Sequence, residues 1–299
     1  MIFPSKIDMH MHTTTSDGTD TPEMLLTKIR EKNIDMFAIT DHDAISACDD
    51  MRILLKIEER KGAKNLPVFV NGVEFSCRDN YGRYHILGYA YDPAHPAIRE
   101  MVDFAHAMRM TKLSRRFEFL EEEFGIVFPK EDIEDIYSMD NPGKPHLGNL
   151  LVKYGHAPDR SAAIKKYLNH VTYQGRVHVF PEEAAEAILN AGGIPVLAHP
   201  PLGDGGQQLD DREMRRRLNA LKLNGLMGLE AWYSAFSKDT TEWMLALAHE
   251  FDLMATAGSD YHGEHKKVPL GETGLASAAD GGLRVKAFIE ACQERKNRY

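Results

Sequence analysis

Near the start of the chain, residues 6 to 18 read KIDMHMHTTTSDG, which sets Asp8, His10 and His12 at alternate positions with Asp17 and Gly18 close behind. In a β-strand successive side chains point to opposite faces, so Asp8, His10 and His12 share one face and Ile7, Met9 and Met11 the other. One face is apolar, and the other carries the chemistry of a metal site. Neutral imidazole is the commonest metal ligand, and a carboxylate behind it fixes its tautomer. A lone histidine in a strand is more often an ordinary core or surface residue, so this pair gains weight from what accompanies it. His42 follows the run MFAIT, Glu74 sits late in FVNGVEFS, His85 in YHILGY, His199 at the end of IPVLAH, and Asp260 and His262 in TAGSDYHG.

Seven short apolar, β-prone runs supply these positions: 7–12, 36–40, 66–76, 84–91, 194–199, 225–233 and 253–260. Helical patterns lie between or after several of them, at 21–33, 181–193, 211–225, 238–251 and 283–296. Strand followed by helix, repeated, predicts an α/β fold with parallel strands in a barrel or wound sheet. In such barrels functional groups collect at the C-terminal strand ends, so residues far apart in sequence meet at one mouth. Buried imidazoles and carboxylates gathered there are costly without a cation, and metal is the economical explanation.

Two intervals break the rhythm. Only CRDNYGR separates the third and fourth strands, too short for a parallel crossover and suited to a hairpin. From about 93 to 178 no strand is predicted, but helical segments are, at 98–125 and 160–170. The expected organisation is a barrel from 1–92 and 179–299, with a helical insertion at 93–178 that shapes the substrate site.

The chain has 299 residues, 43% hydrophobic and 27% charged, enough for a folded protein with a sizeable core. Its formal net charge of -9 disfavours duplex nucleic acid as a partner, which needs a basic surface. A small phosphorylated substrate stays open, because bound divalent ions supply local positive charge. Cys48, Cys77 and Cys292 are odd in number and contain no CxxC, which supports neither a disulfide framework nor a thiolate zinc site. Any metal is therefore held by nitrogen and oxygen. Neither a signal peptide nor a membrane span is read from the sequence, and the expected location is the cytoplasm.

In order, HMHTTTSDG, ITDHD, GVEFS, HILGY, LAHP and GSDYHG resemble the PHP (polymerase and histidinol phosphatase) family, over residues 6–92 and about 181–263. The resemblance implies a distorted seven-stranded β/α barrel and a site for two or three divalent metal ions. His10, His12, Glu74 and Asp260 would hold one; Glu74, His85 and His199 a second; Asp17, His42 and His262 a third. Such ligands suit manganese, iron or zinc. The implied reaction is hydrolysis of a phosphomonoester by metal-activated hydroxide, with His199 or Asp260 assisting proton transfer to the leaving group. Asp8, Asp41 and Asp43 read either as groups orienting the histidines or as plain strand-end carboxylates. Glu230 in GLEAWY has no ligand role in the family and reads as structural.

Relatives carry an Arg-x-His stretch near the bound phosphate, where this chain has Lys144-Pro145-His146. Lysine lacks the bidentate fork of arginine, so phosphate recognition here is weaker or differently aimed. Arg176 and His178 are further substrate-binding candidates. The preferred substrate is the 3'-phosphate of a nucleoside 3',5'-bisphosphate, or short oligonucleotides. The alternatives are a histidinol phosphate phosphatase and a non-catalytic, metal-stabilised accessory module of the kind that rides on a polymerase. The complete ligand set argues against the last.

Overall fold

The computed structural model describes residues 3–202 and 208–296. Its seven strands are β1 (Ile7–Asp8), β2 (Met36–Ile39), β3 (Val68–Asp79), β4 (Gly82–Tyr89), β5 (Ile194–Leu197), β6 (Gly228–Tyr233) and β7 (Met254–Gly258), joined in one sheet in that order. Neighbours pair in parallel except β4, which is antiparallel to both β3 and β5. The seven expected strands and the hairpin are all present. Asp79 Oδ1 fixes the hairpin turn by accepting from the Tyr81 and Gly82 amides at 2.7 and 3.1 Å.

The first and last strands bring the sheet almost to closure. Met9 N donates to Ala257 O at 2.9 Å, His12 N to Tyr261 O at 2.8 Å and Asp260 N to His10 O at 2.8 Å. The predicted strand at 7–12 is nevertheless a ladder only at Ile7–Asp8. Beyond Asp8 the chain bonds to one side and then the other, as where Thr40 N donates to Met11 O at 2.9 Å, and no continuous ladder forms.

Ten α-helices are described: α1 (Pro22–Glu31), α2 (Ser46–Arg60), α3 (Pro96–Phe124), α4 (Lys130–Tyr137), α5 (Lys144–Lys153), α6 (Arg160–Ala163), α7 (Pro181–Asn190), α8 (Asp211–Leu223), α9 (Lys238–Glu250) and α10 (Gly282–Lys296). Helix α1 begins where the sequence predicts, with Thr21 Oγ1 accepting from Met24 N at 3.3 Å as its N-cap. Among the described residues no helix is long and apolar enough to cross a membrane.

The chain divides into two compact units, Met1–Val102 with Val179–Tyr299, and Asp103–His178. In the first, Phe37, Ile39, Met11, Leu25 and Phe69 are buried between the sheet and its flanking helices. The second has an apolar core of its own, in which Leu113, Leu120, Leu147 and Leu151 are fully buried. Strand ends in the first unit position the site.

Candidate metal centre

His10 and His12 follow β1, Asp17 lies in the loop after them, His42 follows β2, Glu74 is within β3 and His85 within β4. His199 follows β5, and Asp260 and His262 follow β7. All nine converge, with Glu74 at the middle. Its Oε2 lies 3.3 Å from His10 Nε2, 3.2 Å from His12 Nε2 and 3.0 Å from His42 Nδ1. Its Oε1 lies 2.8 Å from His85 Nδ1 and 3.2 Å from His199 Nε2. Asp260 Oδ1 is 3.5 and 3.3 Å from His10 Nε2 and His12 Nε2, and Asp17 Oδ1 is 3.2 Å from His262 Nε2.

These atoms form four overlapping groups that could each hold an ion: His12, Asp17, His42 and His262; His10, Glu74 and His199; His10, His12 and Asp260; and His42, Glu74 and His85. Metal bonds of about 2.1 Å set neighbouring ligand atoms roughly 3.0 Å apart in an octahedron and 3.4 Å in a tetrahedron. The observed spacings match that range.

Several imidazoles are tied on one nitrogen and turned inward on the other. His10 Nδ1 meets Glu230 Oε1 at 3.0 Å, His12 Nδ1 meets Ser16 Oγ at 3.4 Å, and His262 Nδ1 meets the Asp260 carbonyl at 2.8 Å. Such outer partners fix the tautomer and aim the free nitrogen. Glu230 also accepts from His199 N at 2.8 Å through Oε2, so one fully buried carboxylate positions two histidines. Glu230, read from the sequence as structural with no ligand role, is in none of the four groups, yet it supports two of their histidines; its partner His10 is 220 residues away, and no neighbouring motif marks it.

The other carboxylates left open resolve differently. Asp8 accepts from the Ser259 and Gly271 amides at 2.9 and 2.8 Å and ties backbone segments together without contacting an imidazole. Asp41 accepts from Thr13 N, Thr13 Oγ1 and Ser16 Oγ at 2.8, 2.7 and 2.5 Å, and so acts on His12 through Ser16. Asp43 accepts from Ser76 N at 2.8 Å and anchors β3. Tyr233 Oη and Lys266 Nζ both donate to Asp260 Oδ2, at 2.7 and 2.5 Å, leaving Oδ1 to face the histidines. Neither residue figured in the sequence reading, because nothing in their types or spacing distinguishes them.

The backbone is strained at three of these residues, Asp43 with φ 53° and two of the clustered nine. His199 has φ 29° and Asp260 φ 57°, in the left-handed region that non-glycine residues seldom occupy. Such strain gathers at functional sites, where surrounding contacts over-determine the geometry.

Burial alone would lower the His10 imidazole, but the carboxylates of Glu230, Glu74 and Asp260 outweigh it and hold the ring well above its usual range. His12, equally buried, is pushed up to about 9 by the Asp260 and Glu74 carboxylates beside it. Burial pushes His42 down to about 3 and also lowers His262. Burial raises Glu74, Asp17 and Asp260, but the surrounding histidines, with Lys266 beside Asp260, hold all three well below the carboxylate range. The centre is an anionic hub whose charge calls for cations. His10 Nε2, His12 Nε2, Asp17 Oδ1 and Glu74 Oε2 are buried without a well-formed hydrogen bond, a costly state that a bound cation relieves. The residues present fit divalent metal ions with nitrogen and oxygen ligands.

The substrate-binding candidates lie in the second unit, apart from the residues above in the division of the chain. Lys144, the first residue of α5, donates to Asn169 Oδ1 at 2.9 Å, and His146 Nδ1 accepts from Gly143 N at 3.1 Å. Arg176 donates to the His178 carbonyl at 3.0 Å and its guanidinium lies over the Phe104 ring, 4.9 Å from the centroid.

A model of the PHP domain matches residues 8–175. The chain is 29% identical over 270 residues to the 3',5'-nucleoside bisphosphate phosphatase of Chromobacterium violaceum, covering 86% of this chain and 87% of that protein. It is 27% identical over 280 residues to a 5'-3' exoribonuclease of Haemophilus influenzae, covering 89% and 93%. A crystal structure from Bifidobacterium adolescentis, assigned as a metal-dependent phosphoesterase, superposes with a TM-score of 0.72 at 29% identity, over 89% of this chain and 91% of that one.

Proposed function

The chain belongs to the PHP domain family of metal-dependent phosphoesterases, and from that premise we propose that it removes a phosphate from a small nucleotide, preferring the 3'-phosphate of a nucleoside 3',5'-bisphosphate. The observation that carries the reading is the convergence of eight imidazoles or carboxylates on Glu74 and its neighbours, several with outer partners already in place. His10, His12, Glu74 and Asp260 would hold one ion, Glu74, His85 and His199 a second, and Asp17, His42 and His262 a third. Ions held there bind phosphate oxygens, lower the pKa of water and offset the charge of an in-line displacement at phosphorus.

The chain's own residues do the rest. Glu230 and Ser16 aim the rings of His10 and His12, and Tyr233 with Lys266 turns Asp260. His199, whose ring is 16% exposed at the edge of the cluster, or Asp260 is assigned to assist proton transfer to the leaving oxygen, within the limits that a ligand role sets. Lys144, His146, Arg176 and His178 are assigned to substrate recognition.

A small substrate suits the net charge of -9, which opposes binding to long nucleic acid. The likeness to an exoribonuclease supports short oligonucleotides as a second substrate class. Three free, buried cysteines suit a reducing compartment, in keeping with the cytoplasm. The test is phosphate release by manganese-loaded protein from adenosine 3',5'-bisphosphate, 3'-AMP, histidinol phosphate and a short RNA. Turnover led by the bisphosphate supports the reading. Preference for histidinol phosphate, or turnover that persists after metal is stripped, overturns it.

A further inference from the structure

The face of β3 and β4 that carries Glu74 and His85 continues outward along the hairpin. Side chains two residues apart share a face, so Glu74, Ser76 and Arg78 line up on β3, and His85 and Arg83 on β4. In the hairpin register Ser76 stands opposite His85 and Arg78 opposite Arg83. Two exposed arginines therefore stand face to face one step, about 7 Å of strand, beyond the His85–Ser76 pair. Arg83 lines the same small cavity as His85 and His199.

The hairpin tip that carries the arginines is held rigidly. Arg217 of α8, itself buried, donates to the Tyr81 and Arg83 carbonyls at 2.6 and 3.1 Å. Its Nε is paired with Glu213 at 2.8 Å, and its guanidinium lies 4.8 Å from the Tyr84 ring centroid. Arg216 stacks over Tyr81 at 3.7 Å. A buried arginine that spends its donors on a turn fixes where the next side chains emerge. Two guanidinium groups set opposite one another across a hairpin offer an anion donors from both strands.

We propose that Arg83, with Arg78 opposite, binds a second phosphate of the substrate while the first lies at the metal centre. The inference rests on the phosphoesterase reading above and deepens it: the substrate is a nucleotide with two phosphates, one cleaved and one recognised. Guanidinium supplies the bidentate fork that Lys144 lacks. The second phosphate belongs either to a free nucleoside bisphosphate or to the 5' end of a short RNA.

The test compares wild type, R83Q, R83K and R78Q on adenosine 3',5'-bisphosphate, 3'-AMP and a 5'-phosphorylated RNA trinucleotide. For R83Q, kcat/KM on the bisphosphate falls about tenfold or more beyond its fall on 3'-AMP, mainly through KM, as expected for a lost charge-assisted contact. R83K keeps the charge and recovers part of the loss, and R78Q shows the same selectivity in smaller degree. A selective loss on the trinucleotide instead assigns the second phosphate to an RNA end. Equal losses on 3'-AMP and both two-phosphate substrates, or no loss, overturn the proposal. Calorimetric binding of the bisphosphate and 3'-AMP to metal-free protein keeps the test separate from turnover. If wild type releases phosphate from nothing, the phosphoesterase reading of the substrate fails, while a selective weakening of bisphosphate binding in R83Q still supports the arginine site.

Discussion

Glu230 shows how much of this centre is decided by a residue that holds no metal itself. It is fully buried, with one oxygen 3.0 Å from His10 Nδ1 and the other accepting the His199 amide at 2.8 Å. Removing it leaves His10 free to rotate and its tautomer unfixed. Glu230→Ala is expected to weaken manganese binding by about 10- to 100-fold, read by equilibrium titration, with far-UV circular dichroism unchanged. Gly258 tests the same coupling from the other side. A Cβ there would press against Glu230 Oε1 and the His10 Cβ, closer than any normal contact. Gly258→Ala is therefore expected to reproduce the metal-binding loss of Glu230→Ala with Glu230 still present. Full manganese affinity in Gly258→Ala would show that His10 tolerates displacement and that its outer partner matters little.

At the scale of elements, the β3–β4 hairpin depends on α8. Arg217 gives the Tyr81 and Arg83 carbonyls their partners and is nearly sealed from solvent, at 7% exposure. Arg217→Ala removes hydrogen bonds from a charged donor and is expected to cost about 2–4 kcal/mol, measured by urea unfolding; a loss under 0.5 kcal/mol would mean that the tip holds itself. The hairpin was readable because CRDNYGR is too short for anything else, and the strands because their apolar runs end in turn residues. Most of the nine clustered residues were readable because they stand at or near such an end; Glu74 and His85 lie inside β3 and β4, and the full set came with the family motifs. Glu230 was not, since its partner His10 is distant in sequence and the run GLEAWY has no second ligand type. Helix α2 lacked a start signal: Ile45 precedes it and makes no side-chain cap. Asp8 was placed on the histidine face by alternation, but the ladder ends there, and its carboxylate serves Ser259 and Gly271.

For the whole molecule, the centre couples stability, metal and pH. Without metal the cluster is held by protons: His12 is pushed up to about 9, and Glu74, Asp17 and Asp260 are held well below the carboxylate range. A histidine raised on folding stabilises fully below its unfolded pKa of about 6.5, and that support is lost as pH rises through the folded value. A carboxylate lowered on folding stabilises above about 4 and loses that support as pH falls. His42, pushed down to about 3, and His262, also lowered, act in the opposite sense: below about pH 6.5 the unfolded chain protonates them and the fold does not, so they take support away as pH falls. In the metal-free barrel the support from the raised histidines and lowered carboxylates is therefore greatest at about pH 6.5, just where His42 and His262 begin to oppose it, and falls toward about pH 9. Metal reverses the upper limb, because ions displace the histidine protons and bind more tightly as those protons become easier to lose. Saturating metal at about a thousand times Kd adds roughly 4 kcal/mol. The gap in Tm between manganese-loaded and chelator-treated protein is therefore expected to widen from pH 6 to pH 9 in differential scanning calorimetry. A gap that stays constant would mean that metal binds without releasing protons, and that His10 and His12 are already neutral in the empty site.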